Sequence, residues 1–269
     1  MSAPTPLDRG SLRRSDGRPP FRLFLDFDGT LVDPNVAIVM VGKFADDGVR
    51  VAHEVDVKLH RGELTLRQAW ELQAALLPWE QIPAMTDFAV REIPLRSGAH
   101  ELIDLLVTHN VPTVVVSGGL DFYIQAILQR EGFDLPFLSD TAHPGDDGHL
   151  RVEHPHGHRE CRQCGICKAQ VVRGPLPAAQ RTIFVGDGST DRFAAEVADI
   201  VFARGRLLTY CQTKGIPCYP FENFQPVTAQ LKGWLEGAEP MPLGRARGVG
   251  DSLCPISRDV HSNADRAPG

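Results

Sequence analysis

Phe24-Leu25-Asp26-Phe27-Asp28-Gly29-Thr30 closes an apolar run that begins at Phe21 and is broken only by Arg22 and Asp26. A run of that length, ending in a Gly, reads as a short buried strand. The end of the strand is unusual, because two carboxylates stand there. In an open α/β sheet ligands bind beyond the carboxyl ends of the strands, so acidic residues at that place point to a site. At a period of two, Asp26 and Asp28 start from the same face, and a cation shared with a phosphate would relieve their repulsion.

Outward from this stretch, residues 36–44, 50–59, 65–77 and 80–90 read as helices. Leu66, Ala69, Trp70, Gln73, Leu76 and Leu77 share one helical face, as a helix packed on its neighbours requires. From Ser97 the pattern becomes alternating helix and strand. Helical stretches are expected at 101–109, 121–131, 168–172, 191–198, 207–214 and 227–235. Strands are expected at 112–116, 137–140, 181–185, 200–203 and 218–221, with a hairpin over 141–152. Several of these strands are unbroken apolar runs, which a parallel sheet covered on both faces buries. The fold class is therefore α/β: a Rossmann-like parallel sheet with helices on both faces and a small helical cap inserted after the first strand. The expected organisation is a disordered leader over 1–20, a core over 21–33 and 92–236, a cap over 34–91 and a disordered tail over 237–269.

The bulk properties narrow the function. The 269 residues are 42% hydrophobic and 23% charged, with a net charge of -6. That balance argues against nucleic acid as a main partner. No apolar run approaches the roughly 20 residues that span a bilayer, and the basic, Pro-rich start has no apolar signal core, so the expectation is no membrane and a cytoplasmic location.

Four chemically loaded segments share one sheet edge: Asp26 with Asp28, Ser117 with Gly118 before a helix, Lys168, and Asp187 with Asp191 in Gly186-Asp187-Gly188-Ser189-Thr190-Asp191. Carboxylates, one Lys and glycine-flexed amides suit a divalent cation and a phosphate dianion together, and an all-oxygen donor set favours Mg²⁺. Asp26 is placed to attack phosphorus, and Asp28 to protonate the leaving oxygen and later deprotonate water.

In order, these segments resemble the four motifs of the haloacid dehalogenase superfamily, over about residues 21–236. The resemblance implies Asp26 as nucleophile and metal ligand. It implies Asp28 as acid/base and as a ligand through its backbone carbonyl, Asp187 as a third ligand and Asp191 as support for it. Ser117, Gly118 and Lys168 would hold the phosphate of a small phosphorylated metabolite. The SGGLDFYI, HPH, CGICK, VFARGRLLTYC and YPFENF stretches are further similar to the methionine-salvage phosphatases that act on 2-hydroxy-3-keto-5-methylthiopentenyl 1-phosphate, a group near the phosphoserine phosphatases. An apolar cap pocket is then expected, with Phe122, Tyr123 or the cap's Trp residues in it. Phosphoserine stays open as a substrate, as does a non-catalytic metal- or redox-sensing role.

The segment His154-Pro-His156-Gly-His158-Arg-Glu-Cys161-Arg-Gln-Cys164-Gly-Ile-Cys167 packs three His and three Cys into fourteen positions. Such spacings suit a structural Zn²⁺ bracing Lys168, and the alternative is a loop of reduced thiols.

Overall fold

A computed structural model of the chain describes residues 19–174, 180–239, 241–242 and 249–258. The leader expected over 1–20 thus falls almost wholly outside the described residues, as does most of the tail.

The strands are β1 (Phe21–Leu25), β2 (Thr113–Leu120), β3 (Phe137–Pro144), β4 (Leu150–Glu153), β5 (Arg181–Gly186), β6 (Ile200–Ala203) and β7 (Tyr219–Pro220). They form one seven-stranded sheet in the order β4-β3-β2-β1-β5-β6-β7. All neighbours are parallel except β3 and β4, which make the expected hairpin. β1 therefore lies at the centre, with β2 and β5 on either side, and the three deliver their carboxyl ends to one edge.

Alternation along the strands divides the interior in two. Leu23, Leu25, Ile183, Val185 and Phe202 enter one cluster, while Phe24, Val116, Phe184 and Val201 enter the other. Neighbouring residues of a strand point to opposite faces, so a sheet apolar at every position must be covered twice. On the first face lie α5 (Ala99–Thr108), α6 (Asp121–Arg130) and α10 (Phe224–Leu235). On the second lie α7 (Lys168–Val172), α8 (Arg192–Ala195) and α9 (Gly205–Lys214).

Between β1 and α5 stand α1 (Val36–Phe44), α2 (Gly48–His60), α3 (Leu66–Ala74), a 3₁₀ turn (Trp79–Gln81) and α4 (Ile82–Glu92). Thr65 and Gln68 close a capping box at the start of α3, satisfying amides that a helix start leaves orphaned. The helix expected to reach 77 stops at Ala74, because Leu77 precedes Pro78 and that position disfavours helical backbone. Leu77 is instead fully buried, and its carbonyl accepts from Leu150 N at 2.8 Å. The insert is not held only by its linkers. Met40, Leu77, Met85 and Ala89 join the cluster that contains Phe27 and Tyr123. Arg130 on α6 donates to the carbonyls of Val90 at 2.7 Å and Ile93 at 2.8 Å, where α4 runs out of intrahelical partners.

Residues 249–258, part of the stretch expected to be a disordered tail, lie among the described residues and pack on the core. Cys254 is buried in the second cluster, and Ser252 Oγ donates at 2.6 Å to Glu196. Glu196 is itself fully buried and also accepts from Tyr210. Polar groups at depth need such partners, and the segment supplies one. Among the described residues no helix is long and apolar enough to cross a membrane.

Candidate active site

The loop after β1 owes its shape to its own backbone and to groups from distant segments. Asp26 N continues the sheet by donating to Val185 O at 2.9 Å, and the Phe27 carbonyl then accepts from Thr30 N and Val32 N. Gly29 makes the turn with φ +79, and a Cβ there would lie 2.6 Å from Asp187 Oδ2. Both the backbone region and the close approach require glycine. Two guanidinium groups fix the loop from outside. Arg96 donates to Gly29 O at 2.7 Å and to Thr30 O at 2.8 Å, and Arg204 donates to Gly29 O at 2.9 Å.

Asp26, Lys168, Asp187 and Asp191 meet at this loop. Lys168 Nζ stands 2.5 Å from Asp26 Oδ1 and 2.6 Å from Asp191 Oδ1. Asp191 Oδ2 accepts from the amides of Asp187 and Gly188, each at 2.9 Å. One carboxylate thereby orients both the Lys and the loop carrying Asp187. Thr30 Oγ1 lies 3.1 Å from Asp26 Oδ2 and 2.9 Å from Asp187 Oδ1.

Burial pushes the Asp26 carboxyl well up, the Asp191 charge adds to this, and Lys168 opposes it. Asp187 is pushed up to about 6, first by burial and then by Asp191. Burial disfavours the Lys168 cation, yet Asp191 and Asp26 outweigh it and hold the ammonium above the ordinary lysine range. Oxygens of Asp26, Asp187 and Asp191 lie within 4.8 Å of one another. Three crowded carboxylates beside one Lys leave negative charge to neutralise, and their oxygen-only donor set fits a hard divalent cation such as Mg²⁺.

Asp28 is placed differently. Its Oδ1 accepts from Val36 N at 2.8 Å, at the start of α1. Its Oδ2 accepts from Tyr123 Oη at 2.7 Å and Ser117 Oγ at 3.2 Å. Burial raises its pKa, and the Tyr123, Val36 and Ser117 hydrogen bonds oppose the rise. The Asp28 side chain is no part of the aspartate group, so a ligand role for it rests on its backbone carbonyl alone. Tyr123, expected to line an apolar pocket, is instead fully buried against Asp28. A Cβ on Gly119 would run into both Tyr123 Oη and Asp28 Oδ2.

The reading of Ser117 and Gly118 at a helix N-terminus also changes. β2 continues to Leu120 through a register break after Val116, and α6 starts only at Asp121. Ser117 Oγ accepts from Gly119 N at 3.0 Å while donating to Asp28. Both Ser117 and Gly118 line the cleft.

That cleft is a cavity of about 320 Å³. The sheet edge contributes Asp26, Asp28, Ser117, Gly118, Asp140 and Asp187, while the insert contributes Ile38, Val55, Leu59, Leu66, Ala69 and Trp70. The sheet-edge wall is thus acidic and polar, while the insert's wall is mainly apolar with Asn35, Asp56 and Gln73 among its residues.

Of the zinc ligands expected at His154, His156, His158, Cys161, Cys164 and Cys167, the structure brings His158, Cys161, Cys164 and Cys167 to the lining of one small cavity but not into a converging ligand group. Among the described residues the only group of three converging metal-capable side chains is the aspartate group. His154 is drawn away, its Nδ1 lying 2.8 Å from Asp140 Oδ1 and its Nε2 3.1 Å from Glu71 Oε1. His158 Nδ1 accepts from Cys161 N at 3.0 Å. Burial pushes the Cys164 thiol up to about 12 and Cys167 to about 11, and all six cysteines are free. A second, small cavity behind Lys168 is lined by Cys161, Cys164, Cys167 and Cys254.

Sequence reasoning missed Tyr123 as the partner of Asp28, the role of Arg204, and Arg96 and Asp140 altogether. The Arg in VFARG is visible as part of a resemblance, but its target, the Gly29 carbonyl, lies 175 positions away.

Comparison with known proteins agrees with this geometry. The haloacid dehalogenase-like hydrolase family profile matches residues 23–196. A 2-hydroxy-3-keto-5-methylthiopentenyl-1-phosphate phosphatase of Bacillus cereus (strain B4264) is 33% identical over 221 residues, covering 80% of this chain and 97% of the relative. The protein of the same name from Bacillus mycoides (strain KBAB4) is 31% identical over 219 residues, with the same coverage of both chains, 80% and 97%. Among solved structures, a phospho-aspartyl intermediate analogue of phosphoserine phosphatase superposes with a TM-score of 0.58 at 20% identity, covering 79% of this chain and 99% of that one. At that identity the superposition speaks for the fold. The chain belongs to the haloacid dehalogenase-like hydrolase family and is a hydrolase of phosphoric monoesters.

Proposed function

We propose that the protein hydrolyses 2-hydroxy-3-keto-5-methylthiopentenyl 1-phosphate, with Mg²⁺, through an aspartyl phosphate on Asp26. The observation that carries the substrate is the character of the insert's side of the cleft. Ile38, Val55, Leu59, Leu66 and Trp70 present apolar surface there, and no Lys or Arg of the insert lines it. A thioether tail finds a partner in such a wall. The carboxylate of phosphoserine would meet no cation from the insert, and the cation that lines the cleft from the core, Arg206, stands 3.8 Å from Asp56 and would have to be drawn from it. The relatives that carry the methylthiopentenyl name match over 97% of their own length, which supports the same reading.

In this mechanism the insert over 34–91 serves as the cap and residues 21–33 and 92–236 as the core. Asp26 Oδ attacks phosphorus as the bond to the ester oxygen breaks, and Asp28 supplies the proton that the departing oxygen takes. Asp28 then removes a proton from the water that attacks the aspartyl phosphate, releasing inorganic phosphate and restoring Asp26. Lys168 offsets charge on the transferring group, aided by Ser117 and the Gly118 amide, and Asp191 holds Lys168 in place. Asp26, Asp187 and Asp191, with the Asp28 carbonyl, would hold Mg²⁺, which would supply further neutralisation of charge on the phosphoryl oxygens.

The test is a panel of phosphorylated metabolites assayed with Mg²⁺. The methylthio ester is expected to exceed phosphoserine in kcat/KM by at least about a hundredfold, as an insert face that is mainly apolar and carries no cation implies. A higher value for phosphoserine would overturn the substrate. Asp26→Asn is expected to lose at least about a thousandfold in kcat, and an unchanged rate would remove the aspartyl phosphate.

A further inference from the structure

We propose that His154 is a positioning residue: clamped between Asp140 of the core and Glu71 of the insert, it seats α3 over the cleft and so sets which leaving group fits. This deepens the reading of the cleft given above and rests on it for the identity of the leaving group.

The His154 side chain is 2% exposed and Asp140 1% exposed. His154 Nε2 stands within hydrogen-bond reach of Glu71 Oε1, while Asp140 meets its Nδ1 at 2.8 Å as a close approach rather than an aligned hydrogen bond. Its two contacts belong to different parts of the fold. Asp140 sits on β3 and lines the cleft from the sheet edge. Glu71 sits on α3, whose Ala69, Trp70 and Gln73 face the cleft from above. Arg67, one turn earlier, donates from Nε to the same Glu71 oxygen at 2.8 Å, and its backbone N donates to Gln163 O at 3.3 Å. The whole of α3 is thereby referred to the segment that carries His154.

The backbone around the pair leaves room for it alone. A Cβ on Gly165 would strike Asp140 Oδ2 and stand 2.7 Å from His154 Nδ1. Beside His154 with Glu71, an ion pair between the insert and the core joins Arg206 to Asp56 at 3.8 Å, with side chains 65% and 43% exposed. An exposed pair of that kind holds little. The His154–Glu71 contact, half-buried and made by side chains, ties α3 to the core beside the backbone bonds of Arg67 N to Gln163 O and, just past the helix, of Leu150 N to Leu77 O. Because Trp70 precedes Glu71, a shift of Glu71 moves the apolar wall of the cleft directly, while Asp26, Asp28 and Lys168 stay on the sheet edge.

The experiment compares the full-length wild type with His154→Ala and Glu71→Gln, the second being a partly exposed position that spares the fold. Hydrogen–deuterium exchange, read without substrate, is expected to show amides of 66–74 exchanging at least about tenfold faster in both variants, with 99–108 unchanged. Unchanged protection of 66–74, or equal loss over 99–108, overturns the proposal. In kinetics, KM for the thioether-tailed ester is expected to rise about tenfold with kcat preserved. Hydrolysis of acetyl phosphate, whose leaving group is too short to reach α3, stays at the wild-type rate. The double variant is expected to be no worse than His154→Ala alone, because Glu71→Gln acts through a contact that His154→Ala already removes. Equal losses on the two substrates, or additive losses, overturn it. If another ester proves to be the substrate, the exchange result still decides the role of His154, and the two readings fail separately.

Discussion

Tyr123 Oη donates a 2.7 Å hydrogen bond to Asp28 Oδ2, joining two buried side chains across 95 positions of sequence. Burial raises the Asp28 pKa and this bond is the largest influence holding it down. Removing it should raise the pKa further. In Tyr123→Phe the pH above which Asp28 can no longer act as an acid is expected to move up by as much as about one unit, the equivalent of one hydrogen bond of about 1.4 kcal/mol. The measurement is the pH dependence of kcat/KM, and a shift of the alkaline limb to lower pH would refute the assignment.

Gly119 is held to glycine by the same pair, since a Cβ would run into Tyr123 Oη and Asp28 Oδ2. Neither atom is the free end of a flexible chain. Gly119→Ala should cost about 1–3 kcal/mol through overpacking, seen as a lower urea midpoint, and should depress kcat as Asp28 is displaced. A variant with wild-type stability and rate would show that the pair can yield.

Lys168 is the single ammonium between Asp26 and Asp191, at 2.5 and 2.6 Å. Lys168→Met leaves two buried carboxylates facing each other. A loss of about 3–5 kcal/mol is expected on removing one partner of a buried pair, together with a fall in kcat of at least about a hundredfold. Denaturant unfolding and turnover check the two effects separately. Wild-type stability in this variant would mean that the carboxylates protonate without cost.

Asp187, pushed up to about 6 by burial and Asp191, makes the metal-free protein sensitive to pH. Between the unfolded carboxylate pKa of about 3.9 and this value the folded state binds more protons, so stability falls as pH rises through that window, by on the order of 3 kcal/mol. Mg²⁺ should restore what is lost, because it binds the deprotonated folded form. The rise in Tm on adding Mg²⁺ to chelator-treated protein is expected to be larger at about pH 7 than at about pH 4.5, and smaller in Asp187→Asn at the higher pH. Equal increments at both pH values, or no difference in the variant, would count against this site.

Much of the architecture is legible in the residues. The apolar run into Asp26, the unbroken β-branched strands and the alternation after Ser97 follow from local sterics and burial, and those forces act over a few neighbouring positions. They place Asp26, Ser117, Lys168 and Asp187 at one sheet edge without any contact being known. The helix expected over 65–77 is too long only because the apolar face of Leu76 and Leu77 outweighs the break at Pro78 when the sequence is read alone.

Partners far apart in the chain are decided only by the tertiary structure. The histidines and cysteines at 154–167 have ligand spacing, yet His154 turns to Asp140 and Glu71, the second of which is 83 positions away. Nothing near His154 in sequence announces either carboxylate. Tyr123 has the character of an aromatic for an apolar pocket, but β2 runs on and brings its hydroxyl to Asp28. Arg96 and Arg204, on separate connecting segments, converge on one carbonyl, that of Gly29. Local sequence determines which groups stand at a strand's end, because the strand's period carries them there. Which of those groups is given a proton donor, a cation or a clamp depends on chain segments brought together by burying two apolar faces of one sheet.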